Sequence, residues 1–462
     1  MKYLVKYGIY YDKTKKDKDY STLLNIINGG KKMKKILSLI LTMVMIFSLS
    51  ACSGGSKTSS SDTTKTTNQK TIKIGFLVPI TGPSAKQGKE AIKTAEMMRD
   101  IINNKTEGIN LPLAITEGLP NLAGAKIELV FADHKGSPEV TLAETERLIT
   151  EEKCVAIAGV FNSAQTKTAA VAAEKLKVPL LTSGTSPQLT EKGLKWLFRF
   201  GLNDSTFIED TYKFMKELNE TKNAGIKTVA TISEDTEFGA NIVKEEEKNS
   251  KKYGYEIVEK IIYPANATNL TAEVLRLKKS NPDVVIMASY TSDTILLIKT
   301  FKELNFNPKL IIGQRGGFMV SEFFTALGAD SENLMTTSAW NEDLANPVIK
   351  QVYDHYSKLS GGIPMTGDIT RDVNNILLIS MAINQAGSTD SEKIREAFLN
   401  LKYPKEQMLL PWEGIKLDGN NQNTQANGII VQVQGGKYKT VYPTALKSVD
   451  LKYPIPTWSE RK

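Results

Sequence analysis

The chain has 462 residues, 41% hydrophobic and 24% charged, which is enough to build more than one buried core. Its formal net charge of +8 sits mostly at one end: residues 1–51 hold ten lysines and three aspartates, which leaves 49 basic and 48 acidic residues in the remainder. That near-neutral remainder gives no support to nucleic-acid binding, which needs a basic face within the domain. Two histidines, His134 and His355, have no metal-ligand spacing with each other or with cysteine, so neither a metal nor any other cofactor is expected.

The first 32 residues are lysine-rich and follow no targeting logic. Met33-Lys34-Lys35 and the apolar run Ile36 to Leu49 then have the layout of a secretory signal peptide, too short for a stable membrane span. Residues 1–32 therefore read as an upstream extension, with translation expected from Met33. The run closes on Leu49-Ser50-Ala51-Cys52, which resembles a bacterial lipobox. That resemblance implies a lipoprotein signal peptide over 33–51, with Cys52 carrying the lipid. A membrane anchor of two or more acyl chains would be durable. Residues 52–70 are Ser, Thr, Gly and Lys with almost no apolar side chain, a flexible tether. The other cysteine, Cys154, lies in the apolar run Cys154-Val155-Ala156-Ile157-Ala158 and is expected to be a buried strand residue.

From Thr71 the pattern alternates. Strands are predicted over Thr71–Pro79, Lys126–Ala132, Cys154–Val160 and Val178–Thr182, and helices over Gly88–Asn103, Val140–Glu152 and Ala164–Lys177. Residues 105–121, with two glycines and two prolines, read as a surface flap. The alternation restarts with a helix over Asp204–Leu218, and continues through strands at Thr228–Ser233, Tyr255–Tyr263, Asp283–Ser289 and Leu310–Gly313. The intervening helices are Phe238–Tyr253, Thr271–Lys279 and Thr294–Leu304. Three further helices, Pro347–Leu359, Thr370–Ala386 and Ser391–Leu401, precede a β-rich tail. Two such sets imply two α/β lobes with parallel sheets. Glu245-Glu246-Glu247 reads as a solvated helix face.

Enzyme signatures are largely absent, with no nucleophile elbow, phosphate loop or dinucleotide fingerprint. One arrangement suggests binding. Ser163 follows a strand and opens a helix, where a hydroxyl beside free N–H groups suits a carboxylate or simply caps the helix. The next strand ends Thr182-Ser183-Gly184-Thr185, putting further hydroxyls at an adjacent carboxyl end, where open α/β sheets bind ligands.

The segments GFLVPITGPSAKQGKEA, AGVFNSAQT, PLLTSGTSPQLTEKG, FRFGLN and EDTEFGAN occur in an order similar to type I periplasmic-binding proteins, most of all the leucine/isoleucine/valine-binding family of ABC-importer receptors. The resemblance implies an α/β fold of two Rossmann-like lobes joined by three crossovers around a hinged cleft. Lobe 1 would span 71–202 plus 339–430, and lobe 2 203–338 plus 431–462. By the same resemblance, Ser163 and Thr185 would hold a ligand carboxylate, and the Ser183 carbonyl would help take an ammonium. Phe161 and Asn162 would line one wall, while Tyr290 and Phe238 would close from the other lobe. The family's ammonium-binding acid falls in a turn that here reads Gly313-Gln314-Arg315-Gly316, and its first-loop ligand residue is Gln87. Either Glu234, Asp293 or Asp372 replaces that acid or the ligand is not a plain amino acid; Arg315 faces either the cleft or solvent. The resemblance implies a non-enzymatic, monomeric, lipid-anchored protein outside the cytoplasm, binding an amino acid or related carboxylate and delivering it to an ABC permease. A sensory receptor subunit of the same fold, or a surface hydrolase, are the alternatives.

Overall fold

The computed structural model describes residues 70–461. The upstream extension, the signal segment, Cys52 and nearly all of the tether lie outside the described residues.

Lobe 1 opens with β1 (Thr71–Val78), α1 (Ala85–Asn103), β2 (Lys126–Asp133), α2 (Pro138–Thr150), β3 (Ala156–Gly159), α3 (Ser163–Leu176), β4 (Leu180–Leu181) and β5 (Leu197–Phe198). Its five strands are all parallel, in the order β2-β1-β3-β4-β5. The central β3 is buried at every position, as a parallel strand covered by helices on both faces must be. Helix starts follow side-chain chemistry. Ser137 caps α2 by accepting from the Val140 N–H, with Pro138 in the first turn.

Lobe 2 contains α4 (Asp204–Lys222), β6 (Thr228–Glu234), α5 (Glu237–Tyr253), β7 (Glu256–Tyr263), α6 (Thr271–Ser280), β8 (Val284–Ala288), α7 (Thr291–Glu303), β9 (Leu310–Gly313), α8 (Ser321–Leu327) and β10 (Met335–Ser338). The chain then returns to lobe 1 as α9 (Pro347–Ser360), α10 (Gly367–Ala386) and α11 (Ser391–Leu399), with α10 packed on α1. It crosses once more to form β11 (Ile429–Gln434) and β12 (Lys437–Tyr442). The second sheet runs β12-β11-β10-β9-β8-β6-β7, parallel except for the terminal β11–β12 hairpin. Gly435 and Gly436, with φ of 65° and 73°, make the two-residue turn whose left-handed backbone other residues adopt at a cost. All of β11 pairs in this sheet, so a lobe boundary at 430 would cut through a strand.

Several elements depart from the sequence expectation. Strands β5 and β10 and helix α8 were not expected. Met335-Thr336-Thr337-Ser338 has no apolar alternation and is a strand only because β9 and β11 flank it. Residues 105–121 are not a loose flap. Ile109, Leu111, Ala114 and Leu119 are buried, and the Asn110 N–H donates to Gln351 Oε1 at 2.8 Å. Glu246 is not on a solvated face: it is fully buried and accepts a hydrogen bond from Thr231 on β6, and burial holds its carboxyl well above the usual range. Only Glu247 of that triplet meets solvent, pairing with Lys260. No helix among the described residues is long and apolar enough to cross a membrane.

Candidate functional site

In both sheets the strand order reverses beside the first strand, between β1 and β3 and between β6 and β8. Loops leaving the carboxyl ends diverge there and open a crevice. The two crevices face one another, and the site is assembled from both.

On the lobe 1 side, the loop after β1 is held by Asp133, whose Oδ1 accepts the Ile80 N–H at 2.9 Å and whose Oδ2 accepts the Thr81 hydroxyl at 2.6 Å. It delivers Gln87 into the interior, 2% exposed, with Oε1 unpaired. The loops after β3 and β4 are tied to each other. Thr166 and Thr182 both donate to the Val160 carbonyl, at 2.6 and 2.9 Å, and the Gly184 N–H donates to Thr182 Oγ1 at 2.8 Å. A Cβ at Gly184 would come within 2.6 Å of Thr166 Oγ1, so the approach needs glycine.

Asn162, not Ser163, occupies the cap position of α3, and its side chain makes no capping bond. Ser163 is the first helical residue. Its Oγ accepts the Ser186 N–H at 3.2 Å, which leaves its own O–H to donate elsewhere. Arg199 reinforces the same loop from behind, donating to the Gly184 and Ser186 carbonyls at 3.1 and 2.7 Å and to Thr190 Oγ1 at 3.0 Å.

From lobe 2, the first turn of α5 supplies Phe238, and the loops after β8 and β9 supply Tyr290 and Arg315. The two rings lie 5.6 Å apart. Arg315 does not face solvent: it is 2% exposed and reaches across to lobe 1. Its Nη2 donates to Thr185 Oγ1 at 2.9 Å and to Asp204 Oδ1 at 2.8 Å, and its guanidinium lies 3.9 Å from the Phe207 ring centroid. Its φ of 61° with ψ of −126° is a conformation that only glycine adopts freely, and such strain concentrates at functional positions. Burial pushes the Asp204 carboxyl up and the Arg315 guanidinium down, each opposed by the other's charge. An arginine stays protonated in proteins, so the contact with Asp204 is an ion pair within lobe 2, while the bond to Thr185 crosses the cleft.

Gln87, Phe161, Ser183, Thr185, Phe238, Tyr290, Arg315 and Gly316 line one cavity of about 20 Å³, together with Asp368 and Arg371. Asn162 instead lines a wider opening of about 480 Å³ toward the mouth of the crevice, with Glu234. Ser163 lines neither of these.

Asp368 and Arg371, in the first turns of α10, were not expected here. The signal was present: Gly367-Asp368-Ile369-Thr370-Arg371-Asp372 places three charges at the start of an otherwise apolar helix. Arg371 donates to the Ser183 carbonyl at 3.0 Å and to Asp368 Oδ1 at 2.9 Å. The carbonyl expected to take an ammonium thus already accepts from a guanidinium.

The three candidate replacement acids do not border this cavity. Asp293 caps a loop, accepting the Asn266 N–H at 2.9 Å. Glu234 accepts the Tyr290 N–H, and burial lifts its carboxyl to about 8. Asp372 is buried, and burial lifts its carboxyl to about 7.

The sequence profile described as "Periplasmic binding protein" matches residues 71–437, most of the chain and both lobes. The chain belongs to the periplasmic binding protein family. Members of this family capture solutes and are not enzymes. The chain is 27% identical over 395 residues to a Leu/Ile/Val-binding protein homolog 7 of Brucella suis, covering 83% of this chain and 94% of that protein. In fold it is similar to the branched-chain amino acid transporter substrate binding protein LivJ of Streptococcus pneumoniae, solved with isoleucine. The TM-score is 0.69 at 23% identity, over 81% of this chain and all of that one. A solute binding protein of an ABC transporter from Rhodopseudomonas palustris, solved with 3,4-dihydroxybenzoic acid, superposes with a TM-score of 0.68 at 22% identity, over 83% and 99% of the two chains.

Proposed function

We infer that this periplasmic binding protein captures an amino acid or related small carboxylate between its lobes. It then presents the closed complex to an ABC permease in the membrane to which Cys52 anchors it. The observation that carries the reading is the convergence of the Ser183, Thr185 and Gln87 side chains from lobe 1 with Phe238, Tyr290 and Arg315 from lobe 2 on a single buried cavity. Polar groups that fix a ligand, enclosed by aromatic walls, are the ordinary makeup of a small-molecule site. With a cavity of only about 20 Å³ between closed lobes, entry requires hinge opening about the three connections. Ser163 and Thr185 are the proposed carboxylate donors, and Phe161 and Asn162 the wall beside them. The proposed lobe limits lie near 202/203, near 338/339 and, since β11 begins at Ile429, in the segment just before that strand, with the hinge in these three connections. The protein works as a monomer and engages no nucleic acid.

The relatives' names and the small-carboxylate ligands of structural neighbours support the solute class. A thermal-shift screen of amino acids, dicarboxylates and aromatic acids tests it, because a bound ligand raises stability by mass action. With a hit in hand, Ser163→Ala and Thr185→Ala should each weaken binding roughly tenfold to a hundredfold, the worth of a hydrogen bond to a charged acceptor. Unaltered affinity in both variants would refute the assignment of these hydroxyls.

A further inference from the structure

Three guanidinium groups, Arg199, Arg315 and Arg371, are buried around the β3–β4 loops at 1%, 2% and 5% exposure. Arg315 has Asp204 as its ionic partner and Arg371 has Asp368. Arg199 has none within salt-bridge distance among the described residues: its hydrogen bonds end on two carbonyls, a threonine hydroxyl and the Gln422 side chain. The remaining acid of the cluster, Asp372, does not line the cavity between the lobes. On that cavity two guanidinium groups, Arg315 and Arg371, therefore face a single carboxylate, Asp368. An uncompensated buried charge is costly, and a complementary ion is what relieves it.

The unmet donors say where that ion would sit. Arg315 Nη1 and Arg371 Nε are buried without a partner, and both residues line the cavity between the lobes, one from each side. Asp368, the one acid lining the same cavity, gives its Oδ1 to Arg371, and no second acid lines the cavity to balance the remaining guanidinium.

We propose that the cleft selects small organic anions, either dicarboxylates or carboxylates without a compensating ammonium, with an anionic group held between Arg315 and Arg371. Planar guanidinium forks suit a carboxylate in this role. Arg371 is then a specificity-determining residue alongside Arg315, and Asp204 and Asp368 orient the two forks. The inference rests on the solute-capture reading and narrows it to net negative solutes.

Calorimetry with the full chain against five probes separates the two. Succinate, L-glutamate and 4-hydroxybenzoate are anions near pH 7; L-leucine and L-glutamine are net neutral. At least one anion should bind ten times or more tighter than either neutral probe. Arg371→Gln should weaken that anion tenfold or more, the loss expected on removing a charged donor. Arg315→Lys, which keeps the charge opposite Asp204 but not the fork, should weaken it while leaving the melting temperature near wild type.

Tighter binding of leucine or glutamine than of every anion would overturn the charge selection and leave solute capture standing. Anion affinity unchanged in a folded Arg371→Gln chain would overturn the placement between the two arginines. Silence from all five probes would count against both readings.

Discussion

Glu234 ends β6 at the mouth of the crevice, 2% exposed, with the Tyr290 N–H on its carboxylate. Burial is the main force on it, the Tyr290 N–H opposes that force, and the charge of Asp293 adds to it; the carboxyl rises from 4.5 to about 8. In this chain the folded state holds a proton that the unfolded state releases. Glu234 therefore stabilises the fold fully below pH 4.5, and that contribution is lost as the pH rises through 8. A shift from 4.5 to about 8, at 1.36 kcal/mol per unit, corresponds to about 5 kcal/mol across this window. Asp372, lifted to about 7, and Asp210, lifted to about 6, act with the same sign over lower ranges.

Glu234→Gln keeps an oxygen for Tyr290 and removes the titration. Urea unfolding of both chains at a series of pH values should give similar stabilities near pH 4.5. The variant should gain on wild type steadily above that, most between pH 5 and 8. Parallel pH profiles for the two chains would show that Glu234 carries its charge in the folded state and would refute the reasoning.

Asn241 on α5 donates to Ser186 Oγ in lobe 1 at 2.7 Å, one of the direct bonds between the closed lobes. Asn241→Ala should remove about 1 kcal/mol from the closed form, shifting the open–closed ratio roughly fivefold; an unchanged small-angle scattering profile and unchanged ligand affinity would contradict this. Cys52→Ala should release the folded protein into the medium, read by fractionation, and retention with the membranes would exclude lipid anchoring through this residue. In that same variant Cys154 is 3% exposed with its thiol pushed up by burial to about 12, so it should resist disulfide reagents at pH 8 until denaturant is added. Cys154 is buried as expected but lies just before β3 and not within the strand; prompt stoichiometric labelling of the native chain would show that it is not buried.

Much of the architecture is legible in the sequence because its signals are local. The run Thr71-Ile72-Lys73-Ile74-Gly75-Phe76-Leu77-Val78 and the 3.6-residue spacing in α1 report which faces are covered, whatever covers them. Strand β10 has no such signature, and its identity comes from neighbours almost a hundred residues away in β11. The site divides in the same way. Hydroxyls at Ser183 and Thr185 follow a predicted strand, so their place at a carboxyl end was readable. Arg315 could be read only as a departure from a family pattern, open between cleft and solvent.

What decides its role is Asp204, 111 residues away at the start of α4, and Thr185, 130 residues away in the other lobe. Arg371 and Ser183 are 188 residues apart. Periodicity records whether a side chain is buried, since burial is a property of its own surface. Charge pairing depends on which segments the crossovers bring together, so the ionic character of the cleft exists only once both lobes have folded and met.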